Sequence, residues 1–208
     1  GGSPLFSVCD IAFMTPQSEY RPTEYMQAWA EMWFDPARRM EKARCFLRRR
    51  AQMTAECWQE NSYLQKLGIV LSDAVLERFH SDLEQAKDVE ELLLAEARWA
   101  KRLYADLARG HGFSFVREEG ARRSTSKADA CNGFLDHGNY IAYGYAAVAL
   151  CGLGISFAMP ILHGKTRRGA LVFDLADVVK DGYVMPLAFE CAKEGETQKD
   201  FRQRLIEH

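Results

Sequence analysis

From residue 89 onward, apolar side chains fall at Val89, Leu92, Leu93, Trp99, Leu103 and Leu107, the three-to-four spacing of one helix face turned to a core. Asp88 with Glu91 three residues on resembles a capping box, so the pattern predicts a helix over residues 89–109 that closes at Gly110. Other boundaries follow from the same signals. Thr23 opens a helix over 24–34, and Asp35 followed by Pro36 starts one that runs to residue 67 and stops at Gly68. Ser72 opens 73–87, and helical spacing returns over 128–150, 171–180, 184–193 (with Pro186 near its start) and 198–207. The stretch 112–127 is charged and lacks an apolar period, which predicts an exposed loop. Only residues 5–13 read as strand, and no partner strand follows them. The expectation is a mainly α chain with a short N-terminal β remnant over 1–14, a turn-rich linker over 15–22 and a helical domain over 23–208. With no initial Met, the opening inside an apolar run predicts a piece of a longer protein.

Composition adds exclusions. A chain 48% hydrophobic and 27% charged has the balance of a folded globular domain, and its net charge of -2 gives no overall pull toward nucleic acid. No apolar run is long enough to span a bilayer, and GGSPLFSV lacks the regions of a secretory signal, so a cytoplasmic protein without membrane contact is expected. The six cysteines show no CxxC spacing, which argues for reduced thiols over a disulfide framework or a zinc ribbon.

The charges are nonetheless clustered. Between Arg38 and Arg50 stand seven basic residues, Arg48 and Arg49 among them, against the single acid Glu41, which predicts a positive outward helix face. Arg117, Arg122, Arg123 and Lys127 form a second cluster, and Lys165, Arg167 and Arg168 a third. Such clusters suit contacts to a phosphate backbone without base reading. Glu96 falls inside the apolar stripe of its helix, which makes it either an acid paired with Arg98 or Arg102, or a metal ligand or general base. Asp174 and Asp177 share a helix face within the apolar run LVFDLADVV, where an unpaired carboxylate is costly to bury. Asp174 could be a helix cap. Asp177 is harder to explain that way. His163 lies just before them in a glycine-bracketed loop. Together these residues offer a mixed nitrogen and oxygen shell suited to Mn or Mg, although zinc could also occupy it.

The ordered segments LLLAEARWAKRLY, ADACNGFLDHGNYIAYG and ILHGKTRRGALVFDLADVVKD, with TPQSEYRPTEY before them, resemble the CRISPR adaptation integrases. These are the first of the CRISPR-associated proteins, and the match is to their type I-F branch. The resemblance runs from about residue 1 to the C-terminus. It implies an N-terminal β-domain followed by a larger helical catalytic domain, of which 23–208 would be the latter. It further implies Glu96, His163 and Asp177 as ligands of a Mn or Mg ion, Asp174 as an additional acid of the motif and Tyr143 as an active-site tyrosine. The activity implied is metal-dependent DNA transesterification. In it the 3'-hydroxyl of a short captured duplex attacks a phosphodiester at a CRISPR repeat boundary, and the same site cuts DNA when water replaces the hydroxyl. Lys165, Arg167, Arg168, Arg48, Arg49, Arg122 and Arg123 are the expected contacts to double-stranded and branched DNA. The loop after His163 is a residue longer than in some branches, which bears on Lys165. The implied partners are a second copy of the chain in a homodimer and a second adaptation protein fused to the interference helicase-nuclease. A non-catalytic DNA-binding and assembly scaffold is the alternative reading.

Overall fold

The computed structural model describes residues 23–120, 126–164 and 169–207, and all its regular elements are helices. They are α1 (Glu24–Phe34), α2 (Pro36–Glu60), α3 (Ser62–Lys66), α4 (Asp73–Gln85), α5 (Val89–His111), α6 (Lys127–Leu153), α7 (Ala170–Glu194) and α8 (Gln198–Glu207). The expected β remnant and linker lie outside the described residues. The mainly α expectation holds.

Local chemistry accounts for most helix starts. Asp35 Oδ1 accepts from the amides of Ala37 and Arg38 at 2.9 and 3.1 Å, with Pro36 in the first helical position. Asp88 accepts from the Glu91 amide, while the Glu91 carboxylate bonds the Lys87 amide instead of closing a box on Asp88. A complete capping box, Ser126 with Asp129, opens α6. Thr23 precedes α1 with a helical backbone and no side-chain cap bond.

Four expectations are corrected. The helix predicted to reach residue 67 breaks at Asn61, whose side chain accepts from the Tyr63 and Leu64 amides and restarts the chain as α3; Gly68, at φ 66°, then ends it. Helix α5 runs through Gly110 and leaves at Gly112, at φ 72°. Gly110 serves packing, because a Cβ there would meet Ile69 Cδ1 at 2.2 Å. The stretch from residue 112 is not simply exposed: Phe113 stacks on buried Phe189 at 5.4 Å, Phe115 meets the same ring at a tilt at 4.8 Å, and Arg117 bonds Asp136 at 2.6 Å. Finally, the two helices predicted over 171–193 are the single helix α7.

That last correction positions the site. Helix α7 packs against α2, α5, α6 and α8 and is buried along most of its length. Gly182 lets α2 approach, since a Cβ there would stand 2.9 Å from Cys57 Sγ. Pro186 has no N–H for the carbonyl one turn back, and Trp58 Nε1 donates to the adjacent Asp181 carbonyl at 2.9 Å. Tertiary contacts thus carry the helix through two residues that read locally as breakers.

Gly138 on α6 shows how tightly these helices meet, because a Cβ there would lie 2.5 Å from Val184 Cγ1 and 3.0 Å from Phe201 Cζ. Gly138→Ala is expected to destabilise the chain by about 1–3 kcal/mol, despite the ~1 kcal/mol helix-propensity gain, as a lower urea midpoint.

His111 provides a pH test of the same core. Its ring is fully buried against Tyr63 and Phe189, Nδ1 donates to the Leu107 carbonyl at 2.7 Å, and Nε2 has no hydrogen-bond partner. Burial pushes the imidazole below its ordinary value of 6.5. The unfolded chain therefore takes up the proton first, so this contribution to stability is full above pH 6.5 and declines as pH falls toward the folded-state value. Urea titrations across that range are expected to show a smaller acid loss for His111→Phe than for the parent chain.

Candidate active site

The site is built around an arginine in the inner stripe of α2, where Ala43, Leu47, Arg50, Ala51, Thr54 and Trp58 are buried together. Arg50 holds Asp181 of α7 with one edge of its guanidinium, Nε to Oδ2 at 2.6 Å and Nη2 to Oδ1 at 3.1 Å. Its Nη1 contacts Glu96 of α5 and lies 3.9 Å from Asp177 Oδ2. Trp99 Nε1 adds a bond to Asp181 Oδ2 at 2.9 Å. Burial disfavours the guanidinium charge, yet Asp181, Asp177 and Glu96 outweigh it and raise Arg50 well above its ordinary pKa.

Asp174 arranges the imidazole. Its Oδ2 accepts from the amides of Ile161 and Leu162 at 2.7 and 3.2 Å, and its Oδ1 from the His163 amide at 3.0 Å and ring Nδ1 at 2.6 Å. Asp174 therefore ties residues 161–163 to α7 instead of capping its own helix. The bond at Nδ1 fixes the neutral ring's tautomer and leaves Nε2 open, 3.8 Å from Asp177 Oδ2. The bond to Asp174 raises the His163 pKa; burial opposes this and Asp177 adds to it.

Asp177 is buried, which by itself raises its pKa, but Lys180 one turn on and Arg50 hold it below the ordinary carboxylate value. Lys180 lies against Asp177 Oδ1, with Nζ 3.5 Å from the Tyr143 hydroxyl and 5.2 Å from the centre of that ring. Burial lowers the Lys180 pKa, and Asp177 and Tyr143 more than restore it. Tyr143 meets Phe173 edge-on at 4.7 Å. Glu96, Tyr143, His163, Asp177, Lys180 and Arg50 all border one cavity of about 180 Å³.

Of the expected site residues, Glu96, His163, Asp177 and Tyr143 thus converge, with Asp174 directly behind His163. Glu96 pairs with neither Arg98 nor Arg102, which bond Asp82 and Asp106. Arg48 bonds Glu41 at 2.9 Å and also Glu84, Arg49 lies 3.7 Å from Glu56, and Arg44 bonds the carbonyls of Leu83 and Ala86. The positive outward face expected of this helix is corrected accordingly: acids and carbonyls cover much of it, and Arg50 points inward. Lys165, Arg167, Arg168, Arg122 and Arg123 lie outside the described residues.

Arg50 and Lys180, the partners of the buried acids, were not among the residues expected at the site. Arg50 sits seven residues after Ala43 and three after Leu47, so the helical stripe contained the signal; Lys180 sits three after Asp177. The donor types present suit Mn or Mg, and Nε2 of His163 is aimed at Asp177 as ligation requires. Among the described residues no three imidazole, thiol or carboxylate groups are gathered closely enough to hold an ion as they stand. Arg50 instead contacts Glu96 Oε1 and lies 3.9 Å from Asp177 Oδ2, and Lys180 contacts Asp177 Oδ1.

Among the described residues, fold and site define a helical domain with a mixed imidazole and carboxylate centre beside buried cations. The family model for CRISPR associated protein Cas1 matches residues 11–206, and the chain belongs to that family. It is 45% identical, over 100% of its own length, to the CRISPR-associated endonuclease Cas1 of Pseudomonas aeruginosa (strain UCBPP-PA14), a type I-F relative in agreement with the branch implied by the motifs. Identity to the Pectobacterium atrosepticum CRISPR-associated endonuclease Cas1 is 40% over 99% of the chain. The chain spans 66% and 65% of those two relatives' lengths. Its fold is similar to that of a casposase bound to integration product, with a TM-score of 0.67 at 18% identity, covering 88% of this chain and 50% of that one. It is also similar to a Cas1 protein from Thermotoga maritima, with a TM-score of 0.64 at 20% identity, covering 88% and 56% respectively. Among the described residues, no helix is long and apolar enough to cross a membrane.

Proposed function

We propose that the chain carries the catalytic centre of a metal-dependent DNA integrase and endonuclease of CRISPR adaptation, with Glu96, His163 and Asp177 holding a Mn or Mg ion. The observation that supports this most is the aim of His163: Nδ1 is committed to Asp174, and Nε2 faces Asp177 on a cavity that Glu96 also borders. When bound, the ion supplies Lewis acidity toward a phosphodiester and its attacking hydroxyl. The chain's own groups do the rest. Asp174 holds the ring proton at Nδ1, so the imidazole presents a lone pair and not an N–H to the cavity. Arg50 ties α2 to α7 through its two bonds to Asp181, which holds Asp177, one turn away, in register as charge builds on the substrate. Lys180 and the Tyr143 hydroxyl, 3.5 Å apart and both lining the cavity, are placed to orient a phosphate oxygen there.

The substrates are double-stranded and branched DNA, with a captured 3'-hydroxyl as nucleophile for integration and water for cutting. A second copy of the chain and a second adaptation protein fused to the interference helicase-nuclease are the partners of the complete assembly. Incubating the chain with branched, repeat-bearing DNA tests this reading directly. Joined or cut products are expected with Mn or Mg and none with chelator. Salt-sensitive DNA binding with no product under any ion would favour the scaffold reading.

A further inference from the structure

Helix α1 contributes no group to the cavity, yet it holds the backbone that delivers His163. Residues 155–164 form no regular element, so their carbonyls and amides need partners from elsewhere. Two come from α1: Trp29 Nε1 donates to the Met159 carbonyl at 3.2 Å, and Trp33 Nε1 donates to the Pro160 carbonyl at 2.7 Å. The next three amides, of Ile161, Leu162 and His163, go to Asp174. Five consecutive residues are therefore pinned by side chains from two helices, carbonyls to α1 and amides to α7.

The indoles are themselves fixed. Arg39 of α2 lies over the Trp33 ring, 5.4 Å from its centre, and donates to the Trp33 carbonyl at 3.2 Å. Phe34 meets the same ring edge-on at 5.2 Å, and Trp29 lies 6.2 Å from Phe46 of α2. An indole has one donor and few rotatable bonds, so a ring packed in this way aims its N–H with little freedom. Asp174 alone would tie the imidazole to one carboxylate. The path by which the chain enters that carboxylate is set by the two indoles.

We infer that Trp33, supported by Trp29, is a positioning residue for His163: its bond to the Pro160 carbonyl sets the course of residues 159–163 that turns Nε2 toward Asp177. This rests on the reading of His163 as a working group of the site. Without that bond the imidazole samples orientations that do not face Asp177, although Asp174, Glu96 and Asp177 are untouched.

The test is Trp33→Phe, which keeps an aromatic ring and removes the N–H, studied in the 208-residue chain with two readouts. One is kcat and KM for Mn-dependent processing of branched DNA; the other is the nitrogen NMR signature of the His163 ring without any ion. The expected result is a fall in kcat of about tenfold, the scale for loss of a group that orients a metal ligand, with KM unchanged. The His163 ring signals are expected to pass from one Nδ1–H form to an exchanging mixture, while those of His111 stay in place. If the parent chain is active and Trp33→Phe leaves either the kcat or the His163 signals unchanged, the positioning role is overturned. If no chain processes DNA but the His163 signals still change, the positioning role stands and the functional reading falls. Should Trp33→Phe fail to fold, Trp29→Phe is judged by the same two readouts, with smaller changes in the same direction expected.

Discussion

His163→Ala is expected to lower Mn- or Mg-dependent DNA processing by at least about 100-fold, beyond the usual range for losing a group that merely orients a ligand, while duplex binding persists. The separation follows from where the residue sits. Nε2 is the one imidazole atom turned onto Asp177, whereas binding of a duplex draws on charge spread over the surface. The alanine removes that nitrogen and also the partner of Asp174 Oδ1, whose remaining bond comes from the residue 163 amide and survives the substitution. The fold should therefore hold, and the loss should appear in turnover. Gel-shift affinity and product yield measured on the same preparation check both halves. Persistent activity in this variant would sink the assignment of His163.

Arg50→Ala is expected to act on stability, by about 3–5 kcal/mol, as removal of one partner from a buried ion cluster does. The side chain is only 5% exposed and neutralises Asp181 and Glu96, with Asp177 at 3.9 Å, so alanine leaves buried carboxylates without their principal cation. Urea denaturation should show a large fall in midpoint. Mn should restore more stability to the variant than it adds to the parent, because the acids then lack their internal competitor and an ion that binds only the folded chain stabilises it by mass action. A fall of less than about 1 kcal/mol, the range of a surface ion pair, would show that Arg50 is not the centre of the charge balance.

The acids were visible in the sequence and their compensation was not. Glu96 in an apolar stripe and Asp174 and Asp177 in LVFDLADVV announce buried charge through local pattern alone. Arg50 stands in a run of three arginines, and composition there suggests a solvated face even though its helical phase matches that of Leu47 and Thr54. Helix starts at Asp35, Asp88 and Gln198 were legible because a cap or apolar spacing specifies them within a few residues. The continuity of α7 was not, because Gly182 and Pro186 are local breakers whose effect is overcome by Cys57 and Trp58, more than a hundred positions away. The indole bonds from Trp29 and Trp33 span 130 and 127 positions, and no short-range signal reports them. Local chemistry thus discloses which residues must be compensated, while chain topology decides by what.

On the function proposed, Glu96, His163 and Asp177 become one ion site once Arg50 and Lys180 give up the carboxylate oxygens they now hold. A Mn-soaked crystal of this chain, read by anomalous scattering, tests it most directly. The expected result is a single strong peak within about 2.0 to 2.6 Å of Asp177 and Glu96 oxygens, in ligating contact with His163 Nε2, and Lys180 moved off Asp177. A peak elsewhere, or saturating Mn with the Arg50–Glu96 and Lys180–Asp177 contacts intact, would contradict it.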